Sequence, residues 1–298
     1  MKLKKDFISY LIVVIAPLCW AGDVVLAKGI INIVPPFTLA FWRWALTFLF
    51  LIPFSYKYIK KDFLLIKDSF IKLIFLSFLG MSGFIVLIYK AVQTTTAINS
   101  ALIQTAMPGA IVLFCLLLYK EKISIIQVFG LSFCFLGAAY VILKGNINNI
   151  LQMSFVKGDI LIAIASIMYG LYSALLQRIP KIHTLSFLTI SSLISSLTLL
   201  PLYLYDFNSS NCLFVNKTFF LGIIYVALFP SIIAYLCWNK GISTIGANKT
   251  GIFISLTPIF ASILAILFLG ETIKFFHIIG MIMIFIGVII FNKYQYND

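Results

Sequence analysis

Charged residues are scarce in this sequence. Only 10% of its 298 residues are charged and 62% are hydrophobic, whereas soluble domains typically have about 25% charged and about 45–50% apolar residues. This scarcity excludes a soluble globular protein. The sequence also has only two histidines and five cysteines, with no CxxC spacing. It therefore indicates neither a metal site nor a disulfide framework.

Motifs of nucleotide binding and hydrolysis are also missing. The sequence contains no Walker motif, no HExxH and no GxSxG, the patterns typical of ATP-driven pumps, metalloproteases and many serine hydrolases. No cofactor is expected, and an integral-membrane enzyme is the weaker alternative. Neither a repeated filter loop nor a ring of charges is visible, as a channel would need.

Long apolar runs fill the sequence instead. About 20 apolar residues cross a bilayer as a helix, so the chain has room for about ten spans and no separate soluble domain. The breaks carry turn and polar signals, and the charged run Lys60-Lys61-Asp62 is expected in a turn after the second span. The ten predicted spans are 8–28, 36–55, 70–90, 97–119, 124–144, 158–179, 183–205, 218–238, 247–269 and 273–292.

The basic excess predicts an orientation. The sequence has 22 Lys and Arg against 9 Asp and Glu, a formal charge of +13. Lys and Arg accumulate on the cytoplasmic loops of membrane proteins. With the N-terminus in the cytoplasm, 15 of the 22 basic residues fall on cytoplasmic segments and 6 on outer ones, while Arg43 lies alone within the second span. We therefore expect both termini in the cytoplasm, and no nucleic-acid partner.

The second half of the sequence repeats the first. A shift of 150 residues aligns 88–143 with 238–293 without a gap and places identical Pro, Glu and Gly residues opposite each other. The predicted halves are 8–144 and 158–292, each with five spans, so the second half enters the membrane with opposite polarity. Such repeats recur in secondary transporters, with a site near the midplane. The predicted fold is an all-α polytopic membrane protein of ten transmembrane helices in two inverted five-helix repeats.

Several short motifs resemble those of one family. They are Trp20-Ala21 in span 1, Pro36 to Arg43 opening span 2, Thr94 to Ala97 before span 4, and a proline thirteen residues before a glutamate in each half. Together they resemble the EamA-type permeases of the drug/metabolite transporter superfamily over nearly the whole chain. At the start of the halves the shift is 148, as Pro53 and Pro201 show. In one departure from the repeat, Arg43 then aligns with Ser191, so the second half lacks this basic residue.

The resemblance implies a secondary transporter of a small metabolite, such as an amino-acid-like solute, in the cytoplasmic (inner) membrane of a bacterium. Export by alternating access is the expected mode, and nutrient uptake by the same fold is the alternative. The resemblance also places the solute cavity between spans 1, 3, 4, 6, 8 and 9. The energy would come from the solute gradient or from a coupled proton or cation. The sequence indicates neither the particular solute nor the oligomeric state.

Two charged residues lie well inside predicted spans, away from the span ends. Asp23 is in the middle of span 1, where a charged side chain costs at least about 2.5–3.5 kcal/mol. Either it lines the pathway as a proton- or cation-responsive group, or it pairs with Arg43, or it lies nearer the interface. Arg43, in span 2, has three alternatives: pairing with Asp23, binding an anionic group of the solute, or extending toward the outer interface.

Polar and aromatic residues that lack an equivalent in the other half are further candidates for the substrate pathway. A solute is not two-fold symmetric, so such residues are suited to contact it. Gln104, for example, is opposite Ile254. The alternative for the aromatic residues is interfacial anchoring or helix packing. Besides Asp23 and Arg43, the predicted pathway residues are Trp20, Tyr89, Asn99, Ser100, Gln104, Tyr169, Tyr172 and Trp238.

Residues repeated in both halves are predicted to serve the scaffold. Pro108 and Pro258 allow a kink or hinge within a span. Glu121 and Glu271 are predicted to cap the exposed N–H groups of the helix that follows each of them. Four repeated glycines are predicted to let helices pack closely. These glycines are Gly130, Gly137, Gly280 and Gly287.

Overall fold

Ten apolar helices follow one another in the part of the chain that the structure, a computed structural model, describes. The described residues are 2–30, 34–95, 100, 103–143, 145–146, 148, 156–179, 181–209, 217–270, 272 and 274–293. The helices are α1 Lys2–Ile30, α2 Pro36–Asp68, α3 Phe70–Ala91, α4 Gln104–Tyr119, α5 Ile125–Ile142, α6 Lys157–Leu176, α7 Thr184–Ser209, α8 Phe219–Ile245, α9 Ala247–Leu269 and α10 Phe275–Lys293.

Each predicted span overlaps one of these helices. Eight are long and apolar enough to cross a membrane, and α4 and α5 are shorter apolar helices. The chain is therefore an all-α polytopic membrane protein, as predicted. The turns after α2, α4, α6 and α8 lie at the same end of the bundle. We call it the basic end, because it carries Lys120, Lys122, Lys181 and Lys249.

The predicted end of the second span is wrong. Helix α2 continues to Asp68, through the charged run 60–62, and the turn lies at Ser69 instead. Its 33 residues give a length of about 50 Å, well beyond the apolar core of about 30 Å. A helix that projects past the bilayer tolerates Lys60 and Lys61, which are exposed, and the buried Asp62 has a partner at the start of α7. The charged run therefore does not end the helix.

Helices α2 and α7 are related by the repeat and cap each other's N-termini. At the basic end, Asp62 Oδ2 in α2 accepts a hydrogen bond from His183 N, just before α7 (2.9 Å). At the opposite end, Asp206 Oδ2 in α7 accepts from Phe37 N (3.0 Å) and Thr38 N (3.1 Å) at the start of α2. Carboxylates are favourable partners for these otherwise unpaired N–H groups. The pair is antiparallel and two-fold related, as inverted repeats require.

The glycine prediction is confirmed where α5 packs on α10. A Cβ built on Gly130 would lie 2.7 Å from Phe291 N, and one on Gly287 would lie 2.6 Å from Gly130 O. A Cβ on Gly137 would lie 2.8 Å from Gly280 O. Only glycine allows the two backbones to approach this closely.

Matched irregularities interrupt α3 and α8. A π-helical turn spans Phe78–Ser82 in α3, and another spans Leu228–Ile233 in α8, which is 150 residues later. The neighbouring helices bond to the carbonyls that precede these turns. Thr47 Oγ1 of α2 donates to Ala227 O (3.3 Å), and Ser195 Oγ of α7 donates to Ser77 O (3.5 Å). The repeat thus extends to individual hydrogen bonds.

Candidate functional site

A small cavity lies in the centre of the bundle, between the two halves. Five of its lining residues were predicted for the substrate pathway, and most of the others are apolar side chains of α3, α4 and α9. The predicted ones are Trp20, Asp23, Arg43, Gln104 and Tyr169. Its volume is about 20 Å³, enough for about one water molecule, whereas small-molecule sites usually have about 300–1,000 Å³. The bundle is therefore closed around its centre.

A buried ion pair forms one wall of this cavity. Arg43 Nη1 donates to Asp23 Oδ2, and the two residues are 1% and 4% exposed. Tyr89 joins the pair, because its hydroxyl donates to Asp23 Oδ1 (2.9 Å) and accepts from Arg43 Nη1 (2.9 Å). Of the alternatives left open by the sequence, Asp23 and Arg43 pair with each other. Neither side chain extends to the membrane interface.

The π-helical turn of α8 supplies a further partner for the pair. Pro230 lies within this turn, and its carbonyl accepts from Arg43 Nη2 (3.3 Å) and from Trp20 Nε1 (3.1 Å). A π turn shifts the backbone register and often occurs at functional sites. Here it presents a backbone oxygen of the second half to charged and aromatic residues of the first half.

Five aromatic rings pack beside the ion pair, and we call them the aromatic cluster. Its members are Trp20, Tyr169, Tyr172, Tyr235 and Trp238. The Trp20 ring lies 5.6 Å from Tyr169 and 5.2 Å from Trp238, and Tyr169 lies 5.2 Å from Tyr172. Among the described residues, the hydroxyls of Tyr169 and Tyr172 and the indole nitrogen of Trp238 have no hydrogen-bond partner. Buried groups of this kind are suited to bind a solute.

Sequence reasoning missed Tyr235. Its hydroxyl donates to Gly80 O in the π-helical turn of α3, and its ring lies 6.0 Å from that of Trp20. Gly80 is the repeat equivalent of Pro230, so each π turn offers a carbonyl to a buried side chain. The repeat equivalent of Tyr235 is Ile85. The criterion of a polar residue without an equivalent would therefore have found Tyr235.

The remaining predicted pathway residues lie on or before α4. Gln104 is buried at the cavity, and its Nε2 donates to Ser100 O (3.2 Å) and Ser100 Oγ (3.4 Å). Ser100 is fully buried. Asn99 lies outside the described residues, as does Glu271. Gln104 thus faces the centre, and Ser100 positions its amide.

The predicted capping role of Glu121 is wrong. The N-terminus of α5 is capped instead by Ser124 and Gln127, which exchange two hydrogen bonds: Ser124 N to Gln127 Oε1 (2.9 Å) and Gln127 N to Ser124 Oγ (3.2 Å). Glu121 Oε1 accepts from Gln177 Nε2 after α6, and Glu121 Oε2 accepts from Asn248 Nδ2 in α9 (3.1 Å). Ser124 and Gln127 are closer than Glu121 to the start of α5. The Glu121 carboxylate is therefore free to connect the two halves.

The prolines predicted as hinges lie at equivalent irregular positions. Pro108 follows a 3₁₀ turn at Gln104–Ala106 in α4, and Pro258 follows one at Ile252–Leu256 in α9. A stretch of 3₁₀ helix within a long helix often marks a hinge. Both turns are beside the central cavity, since Gln104 and Ile254 line it.

The two ends of the bundle differ in how they are closed. Opposite the basic end, Lys28 Nζ donates to Val92 O (3.1 Å) and Thr95 O (2.9 Å), and Thr95 Oγ1 donates to Asp159 Oδ1 (2.9 Å). These bonds tie α1 and α6 to the end of α3. At the basic end lie two cavities of about 500 Å³ and 210 Å³, both lined in part by polar and charged side chains. A cavity of about 540 Å³ towards the opposite end, beside Ile30 and Leu269, is lined almost wholly by apolar side chains.

The fold and this site define a class of protein. Two inverted five-helix halves enclose a central cavity with charged and unpartnered polar groups, which is the architecture of secondary transporters. The chain belongs to the EamA-like transporter family, whose model matches residues 7–143 and 156–293.

Relatives and a solved structure agree with this assignment. The chain is 30% identical over 268 residues to the uncharacterized transporter YyaM of Bacillus subtilis, covering 89% of this chain and 87% of that protein. It is 27% identical over 291 residues to YetK, an uncharacterized transporter of the same organism, covering 97% and 88%. A crystal structure without a descriptive name matches with a TM-score of 0.76 at 17% identity over 95% of both chains, which supports the fold alone.

Proposed function

We propose that this transporter exports a small zwitterionic, amino-acid-like metabolite by alternating access between its halves, residues 8–144 and 158–292. It would lie in the cytoplasmic membrane of a bacterium, with both termini and the basic end in the cytoplasm. The Asp23–Arg43 pair is the observation that carries the proposal. The aromatic cluster and the closed central cavity support it.

A zwitterion matches the buried pair in charge. Its carboxylate can take the place of Asp23 on the guanidinium of Arg43, while its ammonium group takes the place of Arg43 on Asp23. Every buried charge then keeps a partner. A solute with a single charge would leave one of the two protein charges unpaired, at a cost of several kcal/mol. Faces of the aromatic cluster attract the ammonium group further.

The asymmetry between the ends supports export. Polar and charged side chains help to line the cavities of about 500 and 210 Å³ at the basic end, whereas the cavity of about 540 Å³ towards the opposite end has an almost wholly apolar lining. Lys28, Thr95 and Asp159 also hold that opposite end together. The smaller cavity includes Asn239, which follows Trp238 of the aromatic cluster and whose amide has no partner among the described residues. A solute can therefore enter these cavities from the cytoplasm, and it reaches the cluster when the basic end opens. The solute gradient or a proton carried by Asp23 would provide the energy.

Metabolite profiling of cells tests this function. Cells producing the protein should release one or more amino-acid-like solutes faster than matched cells producing the Arg43→Gln variant at the same level in the membrane. Accumulation inside the cells would instead indicate uptake, and a chemically altered solute would indicate an enzyme. If no solute is redistributed under any condition, the proposed transport is wrong.

A further inference from the structure

We propose that Glu121, Gln177 and Asn248 form a latch that holds the basic end closed, with Glu121 as a positioning residue for transport. This inference rests on the proposed alternating access. It concerns the step that opens the central cavity, whereas the residues of that cavity bind the solute.

The latch joins three elements from both halves. Glu121 follows α4 in the first half, and both of its carboxylate oxygens accept hydrogen bonds from the second half, one from Gln177 Nε2 and one from Asn248 Nδ2 (3.1 Å). Gln177 is itself fixed, because its Oε1 accepts from Ala247 N at the start of α9 (2.7 Å). Opening this end would break these bonds together, so the carboxylate couples the ends of α4, α6 and α9.

The latch also separates two cavities. Gln177 lines both the cavity of about 500 Å³ and that of about 210 Å³, and Glu121 and Asn248 line the larger one. Glu121 is half-buried, so its bonds lie at the boundary between cavity and protein. If Gln177 is released, the two cavities can merge into one entrance.

Helix α4 connects the central cavity to the latch. Its segment from Met107 to Tyr119 is about 20 Å long and begins beside the 3₁₀ turn at the central cavity. A rotation about that turn moves the far end most, which is where the latch lies. Between the 3₁₀ turn and the latch, α4 packs tightly on α6 and α9, so no passage for a solute remains there. A Cβ on Gly170 of α6 would lie 2.6 Å from Ala110 Cβ, and one on Gly251 of α9 would lie 2.7 Å from Ile111 Cδ1.

Cys115 is a natural reporter for the latch. It is fully buried in α4, and its carbonyl accepts from Glu121 N (3.4 Å). We would keep Cys115 and replace the other four cysteines (Cys19, Cys134, Cys212 and Cys237) by serine. Labelling of Cys115 by N-ethylmaleimide in membranes, without any solute, then measures how often the basic end opens.

Glu121→Gln should raise the labelling rate about tenfold. Gln177 and Asn248 both donate to the carboxylate, and the amide nitrogen of the new glutamine is itself a donor, so it cannot accept one of these two hydrogen bonds. Lys122→Gln, next to it on the same turn, should leave the rate unchanged. The double change Glu121→Gln with Asn248→Asp should restore slow labelling, since the new carboxylate accepts from the new amide. Asn248→Ala, which breaks one bond from the other side, should also raise the rate.

Several outcomes would overturn the latch. They are unchanged labelling in Glu121→Gln, equal acceleration by Lys122→Gln, or no rescue in the double variant. If Glu121→Gln does not reach the membrane, unchanged labelling in Asn248→Ala overturns it equally. Because the assay needs no solute, the predicted labelling pattern would stand even if profiling found no transport, and the two proposals fail separately.

Discussion

Arg43→Gln is expected to reduce solute transport to below about a tenth of the wild-type rate and to destabilise the protein by about 3–5 kcal/mol. The change leaves Asp23 as an unpaired charge that is 4% exposed inside the bundle. It also removes the donor to Tyr89 and to Pro230 O. Solute efflux from proteoliposomes and thermal unfolding in detergent measure the two effects.

The double variant Asp23→Asn with Arg43→Gln separates folding from function. It removes both charges, so most of the lost stability should return, while transport should stay low because neither end of a zwitterion finds its partner. Full transport by the double variant would show that the pair is purely structural. Asp23→Asn alone tests proton coupling. If the rate and its pH dependence are unchanged, Asp23 carries no proton.

Tyr169→Phe is expected to leave the melting temperature unchanged but to raise the apparent KM for the solute about three- to tenfold. The Tyr169 hydroxyl is buried without a partner among the described residues, so its removal takes no hydrogen bond from the folded protein. If the hydroxyl binds the solute, its loss removes one hydrogen bond, worth about 0.5–1.5 kcal/mol. Transport at varied solute concentration gives the KM.

Tyr89→Phe is the matched control for Tyr169. It removes the same oxygen from a ring that is equally buried, but this hydroxyl bonds both Asp23 and Arg43. The protein should therefore lose stability, by about 1.5–3 kcal/mol for bonds to charged groups. An unchanged KM in Tyr169→Phe would mean that the aromatic cluster serves packing rather than binding.

The helices and their repeat could be predicted because a bilayer imposes strong and simple constraints. A helix needs an apolar run to span it, so all ten spans were predictable. The cost of intramembrane charge drew attention to Asp23 and Arg43 before their contact was known. The end of α2 was not predictable in this way, because water tolerates Lys60 and Lys61 in a helix as readily as in a turn.

The missed residues have a different explanation. Glu121 was expected to cap a helix because short-range capping is visible in sequence, whereas its bonds to Gln177 and Asn248 cross 56 and 127 residues. Long-range pairs of this kind depend on how the halves pack together. Tyr235 was missed because it lies just before 238–293, the stretch of the second half that aligns with 88–143. Its partner, the Gly80 carbonyl, was not predictable, because nothing in the sequence indicates the π-helical turn in α3. The repeat predicted where helices lie, but only the packed halves identify the partners.

Efflux of three matched solute mixtures tests the central claim most directly. Proteoliposomes would be loaded with the proteinogenic amino acids, with their methyl esters, or with their N-acetyl derivatives, and efflux compared with that from liposomes containing Arg43→Gln. Because the cavity pairs one anion with one cation, only free zwitterions should leave faster through the wild-type protein. Equal protein-dependent efflux of the esters and the N-acetyl derivatives would contradict recognition by the Asp23–Arg43 pair.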